Sequence, residues 1–81
     1  MNDTDTLISR IRAIVAEVLV MSPDEIDDNE HFVHCYQADS LNLMEVVAKV
    51  EKEYRVVLPQ SELQQSSTVS ALSRLVIQQI A

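Results

Sequence analysis

The chain has 81 residues, no glycine, one cysteine and a formal net charge of −7, and 47% of its residues are hydrophobic. This length allows one small domain spanning residues 1–81, the single cysteine excludes an internal disulfide, and the acidic balance argues against binding to nucleic acid or to an anionic membrane surface. Because no apolar run is long enough for a transmembrane helix and the acidic start is unlike a secretory signal, we expect a cytoplasmic protein.

The first predicted element is an amphipathic helix from Thr4 to Val20. Apolar residues recur along it at spacings of three and four, which places them on one helix face. These residues are Leu7, Ile11, Ile14, Val15 and Val18. The pattern predicts a core helix that carries no chemistry.

A single helical turn is predicted next, where Ser22, Pro23 and Glu25 match the capping-box pattern. From Asp27 to Ala38 the chain is polar and irregular, which predicts a long loop. Three side chains are expected to hold this loop to the core: Phe32, Val33 and Tyr36.

The second long helix is predicted from Ser40 to Tyr54. At about 100° per residue, one narrow arc forms the core face, with Leu43, Val46, Val47, Val50 and Tyr54. A second apolar group falls outside this arc near Glu45, and it consists of Leu41, Met44 and Ala48. An apolar patch bordered by charge is a candidate docking surface, although scattered exposed hydrophobic residues are also normal.

The rest of the chain predicts a linker and two further helices. The β-branched run 55–58 could form a strand, but Pro59 and the lack of a partner strand favour a buried linker. A short helix is predicted from Ser61 to Gln65, and Thr68 is expected to cap a last helix ending at Ile80. Its inward residues are Val69, Leu72, Val76 and Ile80. The predicted fold is all-α, a small four-helix bundle with three longer helices, one short helix and a long loop between the first two.

Two residues at the start of the second long helix are candidates for a functional role. Asp39 is a good helix cap, able to accept a hydrogen bond from an N–H one or two residues past Ser40. The Ser40 hydroxyl is expected near unpaired N–H groups and the positive end of the helix dipole, which is a favourable place for a phosphate. Taken alone, such an Asp-Ser pair usually means only capping.

Two other residue groups suggest chemistry but do not support it. His31, His34 and Cys35 lie close in sequence, yet structural zinc normally takes four ligands and no second pair is present. His34, Asp39 and Ser40 resemble a hydrolase triad in composition, but a triad is defined by geometry, and no glycine-lined oxyanion turn is available. We therefore expect neither a metal site nor catalysis by the chain itself.

Several segments, in order and spacing, resemble the acyl carrier protein family over nearly the whole chain: residues 32–45 with Ala38-Asp39-Ser40-Leu41, then Glu51-Lys52-Glu53-Tyr54, Leu58-Pro59 and Thr68-Val69. The resemblance implies that Ser40 carries a 4′-phosphopantetheine arm, taken from coenzyme A, whose thiol holds acyl groups as thioesters. It also implies that Asp39 supports this modification. The start of the helix would face partner enzymes through a recognition stripe, which consists of Leu41, Met44, Glu45 and Ala48.

The function implied by this resemblance is that of a discrete, monomeric, non-catalytic carrier in fatty-acid-like or polyketide biosynthesis. Its partners would be a phosphopantetheinyl transferase and an acyltransferase, a ketosynthase or other acyl-processing enzymes. Two alternatives stay open. One is an aminoacyl or peptidyl carrier, and the other is an unmodified helical adaptor that uses Leu41 and Met44 only for interaction.

The chain also departs from the family at several positions. Gln37 stands where glycine is usual, and glutamine adopts a positive φ only at a cost, which leaves open a loop that runs differently. Cys35-Tyr36 replaces a typical acidic-leucine pair. Asn42, Lys52 and Gln60 stand where fatty-acid carriers tend to be acidic, and Lys49 adds a positive charge. These departures favour a specialised carrier, from polyketide or other secondary metabolism.

Overall fold

The computed structural model describes residues 3–63 and 66–80, and this part of the chain contains helices and no strands. The elements in chain order are α1 (Asp3–Leu19), a 3₁₀ turn (Pro23–Glu25), α2 (Phe32–Tyr36), α3 (Ser40–Tyr54), α4 (Gln60–Leu63) and α5 (Val69–Ile80). The all-α fold with three longer helices is confirmed. No helix in the described part of the chain is both long and apolar enough to cross a membrane.

The core lies where α1 packs against both α3 and α5. The predicted inward face of α1 is confirmed, because all five of its residues are buried: Leu7, Ile11, Ile14, Val15 and Val18. From α3, Val46 and Val50 are buried, and the other three residues of the predicted core face are partly buried against the same cluster. The helix periodicity in the sequence therefore identified the contacts between the long helices.

The long loop predicted from Asp27 to Ala38 needs correction, because it contains the short helix α2. Its cap is His31, whose Nδ1 accepts a hydrogen bond from the Val33 N–H at 3.1 Å. Phe32 is buried and Tyr36 is half-buried, as expected, but Val33 is 41% exposed and does not hold the loop. Five residues make little more than one helical turn, which is too short for a periodic pattern to show.

Hydrogen bonds tie this loop to the helices on either side. The Arg12 guanidinium donates to both carboxylate oxygens of Asp28, each at 2.7 Å, and this fixes the loop to α1. The Ser70 N–H donates to the Asp28 carbonyl and the Phe32 N–H donates to the Ser67 carbonyl, both at 2.8 Å. The segment that leads to Ser40 is therefore held against α1 and the start of α5.

The predicted buried linker after α3 is only partly buried. Leu58 is buried, and its N–H donates to the Glu51 carboxylate at 2.8 Å. Val57, by contrast, is 80% exposed. Leu58 and the partly buried Val56 therefore hold the linker against the core, while Val57 between them faces outward.

The C-terminal helices confirm most of the prediction. α4 spans Gln60–Leu63, and the last two residues predicted for it, 64 and 65, lie outside the described residues. The Thr68 hydroxyl accepts a hydrogen bond from the Ala71 N–H at 3.0 Å, as expected of the cap of α5. Ile80 was predicted to face inward but is 53% exposed, because the core ends near Val76 while the apolar period continues for another turn.

Candidate functional site

A short turn between α2 and α3 places Ser40. Gln37 ends α2 in the left-handed conformation, with φ 56° and ψ 33°, so the glutamine adopts the positive φ for which glycine is the usual residue. Ala38 is buried, and its N–H donates to the Phe32 carbonyl at 3.2 Å. The left-handed backbone of Gln37 and the buried Ala38 therefore fix this turn just before α3 begins.

Asp39 caps α3 as predicted. Its Oδ1 accepts a hydrogen bond from the Asn42 N–H at 2.8 Å, and the Asn42 Oδ1 accepts one from the Asp39 N–H at 3.1 Å. This reciprocal arrangement was not predicted, although an Asp followed three residues later by a side-chain amide is a variant of the capping-box pattern. It orients the Asp39 side chain. The pair uses only one of the two carboxylate oxygens of Asp39, which is an exposed residue.

Ser40 is the first residue of α3 and is exposed. The N–H groups of Ser40 and Leu41 belong to the first turn, where a helix offers no carbonyl partner, and they lie at the positive end of the dipole. The hydroxyl is thus accessible to an enzyme from outside, and the backbone beside it suits a phosphodiester. These are the features that an attachment site for a phosphorylated group requires.

The recognition stripe, predicted at Leu41, Met44, Glu45 and Ala48, lies on the outer face of α3. Leu41 is 74% exposed and Met44 is 66% exposed, and Glu45 and Ala48 are also exposed. The structure therefore brings these side chains together as one surface that begins beside Ser40.

The charges on α3 divide into paired and unpaired groups. Lys49 contacts Glu17 and Glu53 contacts Arg10, each at 3.2 Å, and the Glu53 carboxylate raises the pKa of the Arg10 guanidinium above its ordinary value. Glu51 is occupied by the Leu58 N–H. The two remaining charged residues are Glu45 and Lys52, and both are exposed. Neither side chain forms an ion pair or a hydrogen bond with another described residue.

A cavity of about 550 Å³ opens beside Ser40, which forms part of its lining. Its main wall is formed by apolar side chains of α3, two of which (Met44 and Ala48) also belong to the recognition stripe, and Leu63 and Leu72 contribute to the lining from α4 and α5. The α3 side chains in the wall are Leu43, Met44, Val46, Val47 and Ala48. A cavity of this size and character suits an apolar chain attached at its rim.

The cavity also has a polar side that sequence reasoning missed. His31, Ser66 and Ser67 contribute to its lining together with Glu51. These residues come from separate segments that only the fold brings together, and no periodicity or motif in the sequence connects them.

Residues of the two groups that lie close in sequence make other contacts in the structure. The Asp39 carboxylate accepts a hydrogen bond from the backbone N–H of Asn42, and the His34 ring packs against the His31 ring with centroids 4.4 Å apart. In residues 3–63 and 66–80, no cluster of three or more His, Cys, Asp or Glu residues could hold a metal ion. Cys35 is a free, exposed thiol.

Comparison with known proteins agrees with this geometry. The fold is similar to a free-standing peptidyl carrier protein from an uncharacterized Acinetobacter baumannii secondary metabolic pathway, with a TM-score of 0.85, 24% identity and 98% of each chain covered. It is also similar to the acyl carrier protein from Enterococcus faecalis, with a TM-score of 0.79, 19% identity, and coverage of 98% of this chain and 99% of that one.

Residues 9–76 match a protein-family model described as a phosphopantetheine attachment site. This match spans most of the chain and includes the whole of the turn, α3 and the cavity. It implies a covalently attached 4′-phosphopantetheine group, for which the accessible hydroxyl at a helix start provides a suitable place. The chain therefore belongs to the phosphopantetheine-binding family of carrier proteins.

Proposed function

We propose that this protein is an acyl carrier that bears 4′-phosphopantetheine on Ser40 and passes acyl thioesters between enzymes of a fatty-acid-like or polyketide pathway. The observation that carries the proposal is the exposed Ser40 hydroxyl at the first position of α3, within the segment matched by the phosphopantetheine-attachment model. Bound there, the group supplies a thiol on a flexible arm, and a thioester on this thiol keeps the acyl group at high local concentration near each partner enzyme.

The modification is a group transfer from coenzyme A catalysed by a phosphopantetheinyl transferase. A bond forms between the Ser40 Oγ and the phosphorus next to pantetheine, the pyrophosphate P–O bond breaks, and adenosine 3′,5′-bisphosphate leaves as the serine proton is lost. Ser40 presents the nucleophilic oxygen, and the first-turn N–H groups favour the resulting phosphodiester charge. The Asp39 carboxylate, exposed and next to Ser40, would offer an oxygen ligand to the magnesium ion that accompanies coenzyme A.

The recognition stripe is proposed as the docking surface for the transferase and for acyltransferase, ketosynthase or other acyl-processing partners. Leu41 and Met44 supply exposed apolar area, and Glu45 supplies a charge without an intramolecular partner among the described residues. Ala48 is small and allows close approach of the partner. The protein itself acts as a monomeric carrier with no catalytic residue.

The proposal is tested by incubating the protein with a promiscuous phosphopantetheinyl transferase and coenzyme A and measuring the intact mass. We expect the mass to increase by one phosphopantetheinyl group, and we expect no increase for Ser40→Ala. Ser61→Ala, at an exposed serine on α4, is the matched control and should load like the wild type. Absence of loading, or loading that survives Ser40→Ala, would contradict the proposal.

A peptidyl or aminoacyl carrier is the second candidate, and the similarity to a free-standing peptidyl carrier protein supports it. The two functions differ in the enzyme that charges the arm. Once the arm is attached, loading by an amino-acid-activating enzyme would favour the peptidyl function, and loading by an acyltransferase would favour the acyl function.

A further inference from the structure

The cavity beside Ser40 has two chemically different sides. The α3 side is mainly apolar, with Ser40 and Glu51 as its polar members. On the facing side, His31, Ser66 and Ser67 add polar groups to the apolar side chains of Phe32, Leu63 and Leu72. A cavity meant only for a saturated hydrocarbon chain gains nothing from polar side chains in its lining, since covering them removes their water without replacing it.

His31 is held in an orientation that leaves one ring nitrogen available. Its Nδ1 accepts the Val33 N–H, so the neutral ring carries its proton on Nε2, which makes Nε2 a hydrogen-bond donor. No hydrogen bond from Nε2 to a described residue is present, and contact with the His34 ring limits rotation of His31. His31 therefore brings a fixed donor to the lining of the cavity.

The two serines complete the polar side. The Ser66 hydroxyl donates to the Glu62 carbonyl at 2.9 Å, which leaves its oxygen able to accept a hydrogen bond. The Ser67 side chain makes no hydrogen bond with the described residues, while its carbonyl is fixed by the Phe32 N–H at 2.8 Å. His31, Ser66 and Ser67 thus add hydrogen-bond donors and acceptors to the lining of a cavity whose α3 wall is mainly apolar.

On the basis of the proposed carrier function, we propose that this cavity selects acyl groups that carry an oxygen substituent near the thioester, a ketone or a hydroxyl. His31 and Ser67 donate to the substituent, and the α3 wall covers the remaining apolar carbons. A saturated chain of equal length leaves these donors without partners in the covered state. One net hydrogen bond corresponds to a preference of roughly tenfold for the oxygenated chain inside the cavity.

The test compares three forms of the holo protein with stable amide-linked arms, carrying octanoyl, 3-hydroxyoctanoyl or 3-oxooctanoyl groups. Intact mass confirms complete loading on Ser40 in each sample, so a failure of loading, which concerns the carrier function, is separated from a failure of selectivity. The readouts are the thermal midpoint relative to the arm without cargo and the amide chemical shifts of Val47 and Ser67. We expect the two oxygenated groups to raise the midpoint more than octanoyl does, by about 6–11 °C for a tenfold preference.

The variants identify the residues responsible. Ser67→Ala should remove most of the difference between oxygenated and saturated cargo, and Ser61→Ala on α4 should leave it unchanged. His31→Asn keeps an acceptor for the Val33 N–H, and so preserves the cap of α2, but withdraws the distal donor. It should also reduce the difference. An octanoyl group that stabilises the protein as much as its oxygenated analogues, or no stabilisation by any of the three, would overturn the proposal.

Discussion

Gln37, Val20 and Arg55 adopt left-handed backbone conformations, with φ between 55° and 58°, although none of them is a glycine. Each follows a helix, at the position where a left-handed residue commonly ends it. A residue with a side chain pays about 1–2 kcal/mol for this conformation. In a chain without glycine, this cost is present at all three helix ends.

The cost at Gln37 can be measured by Gln37→Gly. The free energy of unfolding should increase by about 0.5–1 kcal/mol, because relief of backbone strain exceeds the extra freedom that glycine gives the unfolded chain. Urea denaturation measures the change. The matched control is Gln78→Gly, at an exposed glutamine within α5, which should instead lower the stability by about 1 kcal/mol. A loss of stability in both variants would contradict the assigned conformation of Gln37.

Individual residues of the site were predictable where the signal was local. Asp39 and Ser40 could be identified because a cap and the residue after it depend on a few neighbours in sequence. The reciprocal role of Asn42 was missed, since asparagine is not the usual residue at that position of a capping box. His31 and Ser67 could not be recognised, because their proximity depends on the packing of the loop against α5.

Among the elements, the loop between α1 and α3 has the greatest influence on the site, and Arg12 fixes it. Arg12 and Asp28 are each 29% exposed and form two hydrogen bonds, and this contact raises the pKa of the Arg12 guanidinium above its ordinary value. A bidentate pair with limited exposure is stronger than an ordinary surface ion pair. It therefore holds the segment that leads to Ser40 in place.

Arg12→Gln should lower the free energy of unfolding by about 1–2 kcal/mol. Amide hydrogen exchange should accelerate in the loop, at Phe32 and Ala38, because their hydrogen bonds depend on the position of the loop. The control is Lys49→Gln, whose pair with Glu17 is more exposed, and it should cost no more than about 0.5 kcal/mol. Equal losses in the two variants would show that the Arg12 contact has no special role.

Long helices, in which the apolar pattern repeats over several turns, were predicted well, and short elements were not. α1 and α3 contain four or more turns, so their core faces could be identified from spacing alone. α2 has five residues and its start depends on His31, a residue that is not a common cap. For Ile80 the error is the reverse, because the apolar pattern predicted burial and the residue is exposed. Periodicity along α5 cannot indicate where its contact with α1 ends.

For the whole molecule, the two tyrosines predict how stability changes at alkaline pH. Burial raises the pKa of the Tyr36 and Tyr54 phenols above their ordinary value, so the folded protein binds these protons more tightly than the unfolded chain does. Their contribution to stability is complete below about pH 10 and decreases as the pH rises through the folded pKa values. The free energy of unfolding should therefore fall as the pH rises above about 10.

Replacing both tyrosines isolates this effect. Tyr36→Phe combined with Tyr54→Phe should give a less steep decrease over the same pH range, measured by urea denaturation at several pH values. The comparison concerns the slope, since the loss of the Tyr36 oxygen, which accepts the Asp27 N–H at 2.7 Å, lowers stability at every pH. An unchanged slope would show that the phenols do not contribute.

The single core sets the stability of the whole domain, and Ile11 tests it. A domain of this size has a free energy of unfolding of roughly 4–12 kcal/mol, and Ile11 is fully buried in the middle of α1, which packs against both other long helices. Ile11→Ala should cost about 2–5 kcal/mol, a large part of that total. Ile80→Ala removes the same atoms from a side chain that is 53% exposed and should cost much less.

The position of Ser40 at the start of α3 depends on the same core, because a small domain unfolds cooperatively. Ile11→Ala should therefore also weaken hydrogen-exchange protection in α3, at Val46 and Val50, whereas Ile80→Ala should leave this protection unchanged. Similar costs for the two variants would mean that Ile80 packs as the sequence periodicity predicted and that the core extends one turn further along α5.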